Sequence, residues 1–336
     1  MHHYITVLGE KILAGGQINY EEALALERVQ GADLYFLSAY ASKIREVYQG
    51  DRVDLCSIVS ARIGGCKENC AFCSQSVHHE TGTKVEVNFN KNEILKRAKT
   101  MEAAGVHRFD IVTSGKGYKL GDPEFAALLD IFKKLRKETK LQLCACLGVI
   151  GEAEARAIKD AGVTRYNHNL ETAESFFPQV VSTHSYKERE KTLMAVKKVG
   201  MEVCCGGIIG MGETFAQRVE FAFALRDLGV DSTPLNVLNP ILGTPLNVLN
   251  PILGTPLESK KPLSPLEVLK TIGMFRFVLP KTNIRFAGGR EVNLRSLQAL
   301  GLVSGINGML TGNYLTTKGQ GISEDLAMIE DLGLKY

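Results

Sequence analysis

Short apolar runs alternate with amphipathic stretches along most of the chain. After residue 50, largely apolar runs begin near Val53, Arg108, Leu141, Arg165, Glu202, Ser232, Asn283 and Gly305. Between them lie segments with helical periodicity, such as Lys91 to Ala104 and Pro123 to Lys137. Strand-length runs alternating with amphipathic helices are the pattern of β-α units repeated around a parallel sheet. Eight such units predict an α/β fold closed into a (β/α)8 barrel of the TIM type, in preference to an open doubly wound sheet. The chain has 336 residues, enough for a barrel of about 250 residues with extensions. The pattern divides it into an N-terminal helical extension over 1–50, a barrel over 51–315 and a C-terminal segment over 316–336.

One stretch breaks the regularity. Residues 233–243 read TPLNVLNPILG, and residues 244–254 repeat them letter for letter. Solenoid architectures stack several diverged units of about 20 residues or more. An identical tandem pair this short reads instead as a recent duplication, a cloning event or a sequence error. Only one copy can occupy the sixth barrel strand, and the other must loop out before or after it.

Charge narrows the class of partner. Forty lysines and arginines stand against 37 acidic residues, a net charge of +3, which gives no electrostatic case for nucleic acid or an anionic membrane. No run approaches the roughly 20 apolar residues of a membrane span, and residues 1–14 lack the basic start and apolar core of a signal peptide. A small-molecule substrate and a cytoplasmic location are expected. The eight cysteines fall mostly in tight groups, Cys66/Cys70/Cys73, Cys144/Cys146 and Cys204/Cys205, with Cys56 alone. That spacing suits metal or cluster ligation better than a secreted disulfide framework.

The strongest chemical signal is Cys66-Lys-Glu-Asn-Cys70-Ala-Phe-Cys73, in a glycine-introduced loop after the first strand. Structural zinc usually takes four protein ligands, whereas three thiolates can hold a [4Fe-4S] cluster with one iron open to a cofactor. The alternative is a zinc site completed by His78 or His79. The loop follows the carboxyl end of a strand, which is the functional face of a (β/α)8 barrel.

With Ser74-Gln75-Ser76 after it, the motif resembles the radical S-adenosylmethionine (SAM) signature. The likeness becomes specific in Tyr166-Asn-His-Asn-Leu-Glu171, Gly206-Gly-Ile-Ile-Gly-Met-Gly-Glu-Thr214 and Ile284-Arg-Phe-Ala-Gly-Gly-Arg-Glu-Val-Asn293. These segments, in this order over nearly the whole chain, resemble the biotin synthase family. The resemblance implies SAM bound at the open iron and cleaved to a 5′-deoxyadenosyl radical. It further implies two hydrogen abstractions, at C6 and C9 of dethiobiotin, bracketing a sulfur that closes the ring. The cofactor then carries the hard chemistry while the barrel positions the substrate and excludes water, and no protein side chain is expected to act as catalyst. An electron donor such as flavodoxin or ferredoxin, and a homodimer, are implied as well.

Asn167 and Asn169 alternate on a predicted strand and share one face, which Glu171 continues. By resemblance these three would contact substrate and SAM, Arg189 would approach the SAM carboxylate, and the sixth strand would contribute an asparagine. Asn236 and Asn247 match that position equally, and Asn236 is favoured because it keeps the approach from the preceding helix. The glycine-rich Gly206 to Gly212 lacks a P-loop ending and reads as close backbone approach to SAM.

The family also holds a second, auxiliary iron-sulfur cluster deep in the barrel on three cysteines and an arginine. The matching positions are Asp110, Cys144, Cys204 and Arg285, so an aspartate stands where a cysteine is expected. A remodelled auxiliary cluster on Cys56, Cys144 and Cys204 is therefore expected, with Cys146 or Asp110 as further candidates. A carboxylate is a harder ligand than a thiolate and suits tuning or hydrogen bonding. Cys205 should face away from Cys204, and Arg285 could equally pair with Asp110. Two other readings stand beside this one: a barrel-type radical SAM cofactor maturase with a different substrate, and a non-enzymatic zinc or iron-sulfur protein.

Overall fold

The structure, a computed structural model, describes residues 1–238, 263–312 and 319–336. Eight barrel positions are filled in chain order. They are β1 (Asp54–Ile63), β2 (Arg108–Thr113), β3 (Gln142–Cys146), β4 (Val163–Asn167), β5, β6 (Ser232–Val237), β7 (Asn283–Phe286) and β8 (Gly308–Leu310). β5 consists of two short pieces, Glu202–Cys204 and Gly207–Ile209. Each barrel strand runs parallel to its neighbours, and pairing of Asp54 with Gly308 and Cys56 with Leu310 closes the ring. A two-residue strip, Glu86–Val87, adds antiparallel to the end of β1. The predicted barrel is thus formed. Its sixth strand uses the first copy of the duplicated segment, while the second copy, with Asn247, lies outside the described residues.

Local sequence explains the elements. All six residues of β2 are buried, as expected for a parallel strand with side chains in the lumen on one face and helices on the other. The helix Pro123–Glu138 starts with proline in its first turn and buries Phe125, Leu128, Ile131, Phe132 and Leu135 on one stripe. Each of those side chains contributes roughly 1.5–3 kcal/mol of transfer free energy. Ser185 and Thr214 cap the helices Tyr186–Lys198 and Phe215–Asp227 in reciprocal capping boxes with Glu188 and Gln217.

The N-terminal helices His2–Leu13 and Ala32–Gln49 pack on each other and on the barrel helix Pro265–Val278. Gly9 permits the first contact, because a Cβ there would lie 2.2 Å from the Tyr40 ring. Among the described residues the buried Arg276 has no acidic partner. It donates to the carbonyls of Gly305, Leu279, Pro280 and Thr282 and to Asn307 Oδ1, at 2.7–3.1 Å, and so pins the turn between the helix Pro265–Val278 and β7.

Candidate active site

Strand alternation stacks the lumen in layers. At its amino-terminal end, Asp54 of β1 receives Arg285 Nη2 at 2.6 Å, Arg108 Nε at 3.0 Å and Arg165 Nη1 at 3.5 Å. Glu202 adds a second carboxylate, 2.8 Å from Arg165 Nε and 3.3 Å from Arg108 Nη1. Burial alone would raise the Asp54 pKa, but the charges of Arg285, Arg108 and Arg165 hold its carboxyl below the usual range. Arg285 therefore pairs with Asp54 and Ser232, not with Asp110 as the sequence allowed.

The next layer gathers Cys56, Cys144, Cys204, Asp110 and Asn167. The Cys56 and Cys144 thiols are hydrogen-bonding neighbours, and Arg285 is electrostatically coupled to Cys56, Cys204 and Cys144. Asp110 accepts from Asn167 Nδ2, and its other oxygen has no hydrogen-bond partner among the described residues. Burial, then the neighbouring Cys144, pushes the Asp110 carboxyl well up. Cys205, by contrast, is fully buried among apolar core residues outside the lumen, as alternation predicts.

Above this layer opens a cavity of about 280 Å³ at the carboxyl ends of the strands. Its wall includes Cys66, Cys70 and Cys73 together with Cys146, Asn169, Glu171, Arg189 and Asn236. The cysteine loop is held by its own sequence. Gly64 and Gly65 adopt φ of +71° and +67°, Cys66 N–H donates to the Gln75 carbonyl, and Gln75 Oε1 accepts from Gly64 N–H. Burial above all pushes the Cys70 and Cys73 thiols up to about 12. Bound iron would have to displace those protons. The rings of His78 and His79 bond the Lys67 and Cys70 carbonyls through Nε2 at 2.9 Å. Among the described residues no three His, Cys, Asp or Glu side chains converge on a single-ion site. Three thiols around one cavity fit a cluster with an open corner.

Some placements differ from the sequence reading. β4 ends at Asn167, so Asn169 and Glu171 reach the cavity from a loop and not by strand alternation. Asn167 is turned below the cavity toward Asp110. Glu171 sits at φ +72°, with its carboxylate 3.5 Å from Arg189 Nη1. Asn236 is engaged by two backbones, donating to Gly207 O at 3.1 Å and accepting from Gly288 N–H at 2.9 Å. Gly206 and Gly207 make their close approaches to the protein itself. A Cβ on them would lie 2.0 Å from Pro234 O and 2.2 Å from Glu171 O. Further along that loop, Glu213 gathers the Gly210 and Met211 amides and the buried Arg218. Sequence reasoning missed Asp54, Glu68, His168 and His184. The last three line the cavity; Glu68, inside the cysteine motif, and His168, inside the Tyr166 to Glu171 segment, had a signal to read.

A parallel barrel with a three-cysteine loop over a cavity at the carboxyl ends of its strands defines a radical SAM enzyme, and residues 61–225 match the Radical SAM superfamily. Residues 234–335 match the Biotin and Thiamin Synthesis associated domain. The biotin synthase of Carboxydothermus hydrogenoformans is 58% identical over 335 residues, covering 100% of both chains. That of Clostridium acetobutylicum is 49% identical over 332 residues, covering 99% of this chain and 98% of its own. The chain belongs to the biotin synthase family. Among solved structures, methylornithine synthase superposes with a TM-score of 0.81 at 21% identity, covering 98% of this chain and 96% of its own. The FeFe-hydrogenase maturase HydG of C. hydrogenoformans gives 0.78 at 17%, covering 98% and 78%. These two bear on the fold alone. The full-length relatives decide against the maturase and the non-enzymatic readings.

Proposed function

We propose that the upper cavity holds a [4Fe-4S] cluster on Cys66, Cys70 and Cys73 with SAM beside it, and that the chain inserts sulfur at C6 and C9 of dethiobiotin. The observation that carries this is the convergence of the three thiols, Arg189, Glu171 and Asn169 on one cavity wall. When bound, the cluster and SAM supply a 5′-deoxyadenosyl radical able to take hydrogen from an unactivated carbon. The protein's part is positional. Arg189 offers its guanidinium to the SAM carboxylate, Glu171 offers its oxygens to ribose hydroxyls, and Asn169 orients Glu171 through a 3.4 Å contact. The apolar wall of Ile58, Val112 and Leu310 lines the lower cavity and excludes water from a reactive carbon centre.

Cys56, Cys144 and Cys204 are proposed to hold the auxiliary cluster. Arg285 is at hand, Cys146 lies nearer the cavity, and Asp110, paired with Asn167, tunes the site. The mutual proximity of the three thiols to Arg285 supports this set. The family resemblance also supports reduction by a flavodoxin or ferredoxin, a homodimer, a cytoplasmic location, and the division at residues 50 and 315. The test is anaerobic iron and sulfide analysis with Mössbauer spectroscopy on wild type and on a Cys66/Cys70/Cys73→Ala variant. Iron-sulfur signal remaining in the variant is expected. Complete loss from a folded variant would reject the second cluster, and wild type lacking dethiobiotin-dependent SAM cleavage would reject the substrate.

A further inference from the structure

The three-residue spacer between Cys66 and Cys70 is attached to the segment just ahead of the helix that carries Arg189. Asn69 Oδ1 accepts from Ser182 N–H at 3.1 Å and Thr183 N–H at 3.2 Å, and Asn69 Nδ2 donates to Ser182 Oγ at 2.7 Å. Ala71 N–H donates to the Val180 carbonyl at 2.8 Å. Those bonds fix the distance between the two loops. Glu68 then accepts from Thr183 Oγ–H at 2.7 Å and lies 2.5 Å from His184 Nδ1. On the far side of the ring, His184 Nε2 is 3.0 Å from Arg189 Nε, and Arg189 Nη1 donates to Asn169 O at 2.6 Å.

Hydrogen-bond logic assigns the ring. A guanidinium can only donate, so His184 Nε2 must accept, and the imidazole proton sits on Nδ1 pointing at Glu68. We propose that Glu68 and His184 form a positioning dyad: Glu68 fixes the tautomer and orientation of His184, and His184 holds Arg189 Nε so that its remaining N–H groups face the SAM carboxylate. The proposal rests on the reading of Arg189 as the carboxylate partner. In this role both dyad members act through Arg189. The spacer between two cluster ligands thereby does a second job, registering the SAM site against the cluster. His184 is buried, and burial and the Arg189 charge together lower its pKa against the opposing pull of Glu68, in keeping with a neutral ring.

The test uses reconstituted holoenzyme and four variants: His184→Phe, which keeps the ring shape but neither hydrogen bond; His184→Gln, which keeps an acceptor near Nε2; Arg189→Met; and the His184→Phe/Arg189→Met pair. SAM affinity is measured by anaerobic equilibrium dialysis, with iron and sulfide content measured alongside. His184→Phe should bind SAM about tenfold more weakly at wild-type iron content, His184→Gln should recover most of that loss, and His184→Phe should add nothing in the Arg189→Met background. A merely structural role gives additive losses or falling iron content in both His184 variants, and either result overturns the dyad. If Arg189→Met itself leaves SAM affinity unchanged, the carboxylate reading fails and the dyad with it. If Arg189→Met weakens SAM while His184→Phe does not, only the dyad fails.

Discussion

Asp54→Asn isolates the charge at the base of the barrel. The change keeps the side chain's shape and removes the carboxylate that three guanidiniums share at 2.6, 3.0 and 3.5 Å. Arg108, Arg165 and Arg285 are each at least nine-tenths buried; the first two would be left with Glu202 as their nearby acid, and Arg285 with the neutral Ser232 and Asn283 oxygens. Leaving buried charges uncompensated costs about 3–5 kcal/mol, and the partly exposed position of Asp54 places this case near 3. With an unfolding entropy of about 2.1 cal/mol/K per residue, a chain of this length has roughly 0.7 kcal/mol/K in all, so the midpoint should fall by about 4 °C. The pH dependence has a definite sign. Because the folded-state pKa of Asp54 is depressed, its stabilisation is present above the unfolded value of about 3.9 and is lost as pH falls through the folded value. Scanning calorimetry of wild type and variant at pH 7 and at stepwise lower pH should show a gap that closes in acid. A midpoint unchanged within about 1 °C at pH 7, or a gap undiminished at the lowest pH, would refute the reasoning.

Gly207→Ala should destabilise the protein by 2 kcal/mol or more in urea unfolding, on the order of an overpacked core site, because its Cβ would lie 2.2 Å from Glu171 O; it should also weaken SAM binding. Arg276→Leu, which strips hydrogen bonds from four carbonyls and Asn307, should cost roughly 3 kcal/mol or more by the same assay. Deleting residues 244–254 yields the same polypeptide as deleting 233–243, and since the first copy already supplies β6, the single-copy protein should retain iron content and SAM cleavage; loss of either would show that the repeat serves the barrel.

The barrel was legible because its period is local. Arg108, Glu202, Ser232 and Asn283 begin strands at the positions where the apolar runs begin. Where strand starts shifted, backbone chemistry explains it. β8 starts at Gly308 and not near Gly305, because Gly305 takes φ +115° in a turn packed on Arg276. The break in β5 at Cys205 and Gly206 was hidden, since it follows from the neighbouring Pro234 carbonyl. The cysteine motif could be read because its three cysteines lie within eight residues. The Asp54 group could not, since it assembles from β1, β2, β4, β5 and β7 only when the barrel closes. The Glu68–His184 contact spans 116 residues and leaves no periodic trace.

The left-handed backbone of Glu171 carries a consequence for how this protein could be improved. A non-glycine residue held at φ +72° stores on the order of 1 kcal/mol, and it stays there because its N–H donates to Gly206 O while its own carbonyl accepts from Ile208 N–H. Glycine at that position would relax the strain and raise stability, yet it would delete the carboxylate aimed into the cavity. Selection for thermal robustness and selection for turnover therefore pull this residue in opposite directions. Screens that reward melting temperature alone will tend to disarm the site at Glu171.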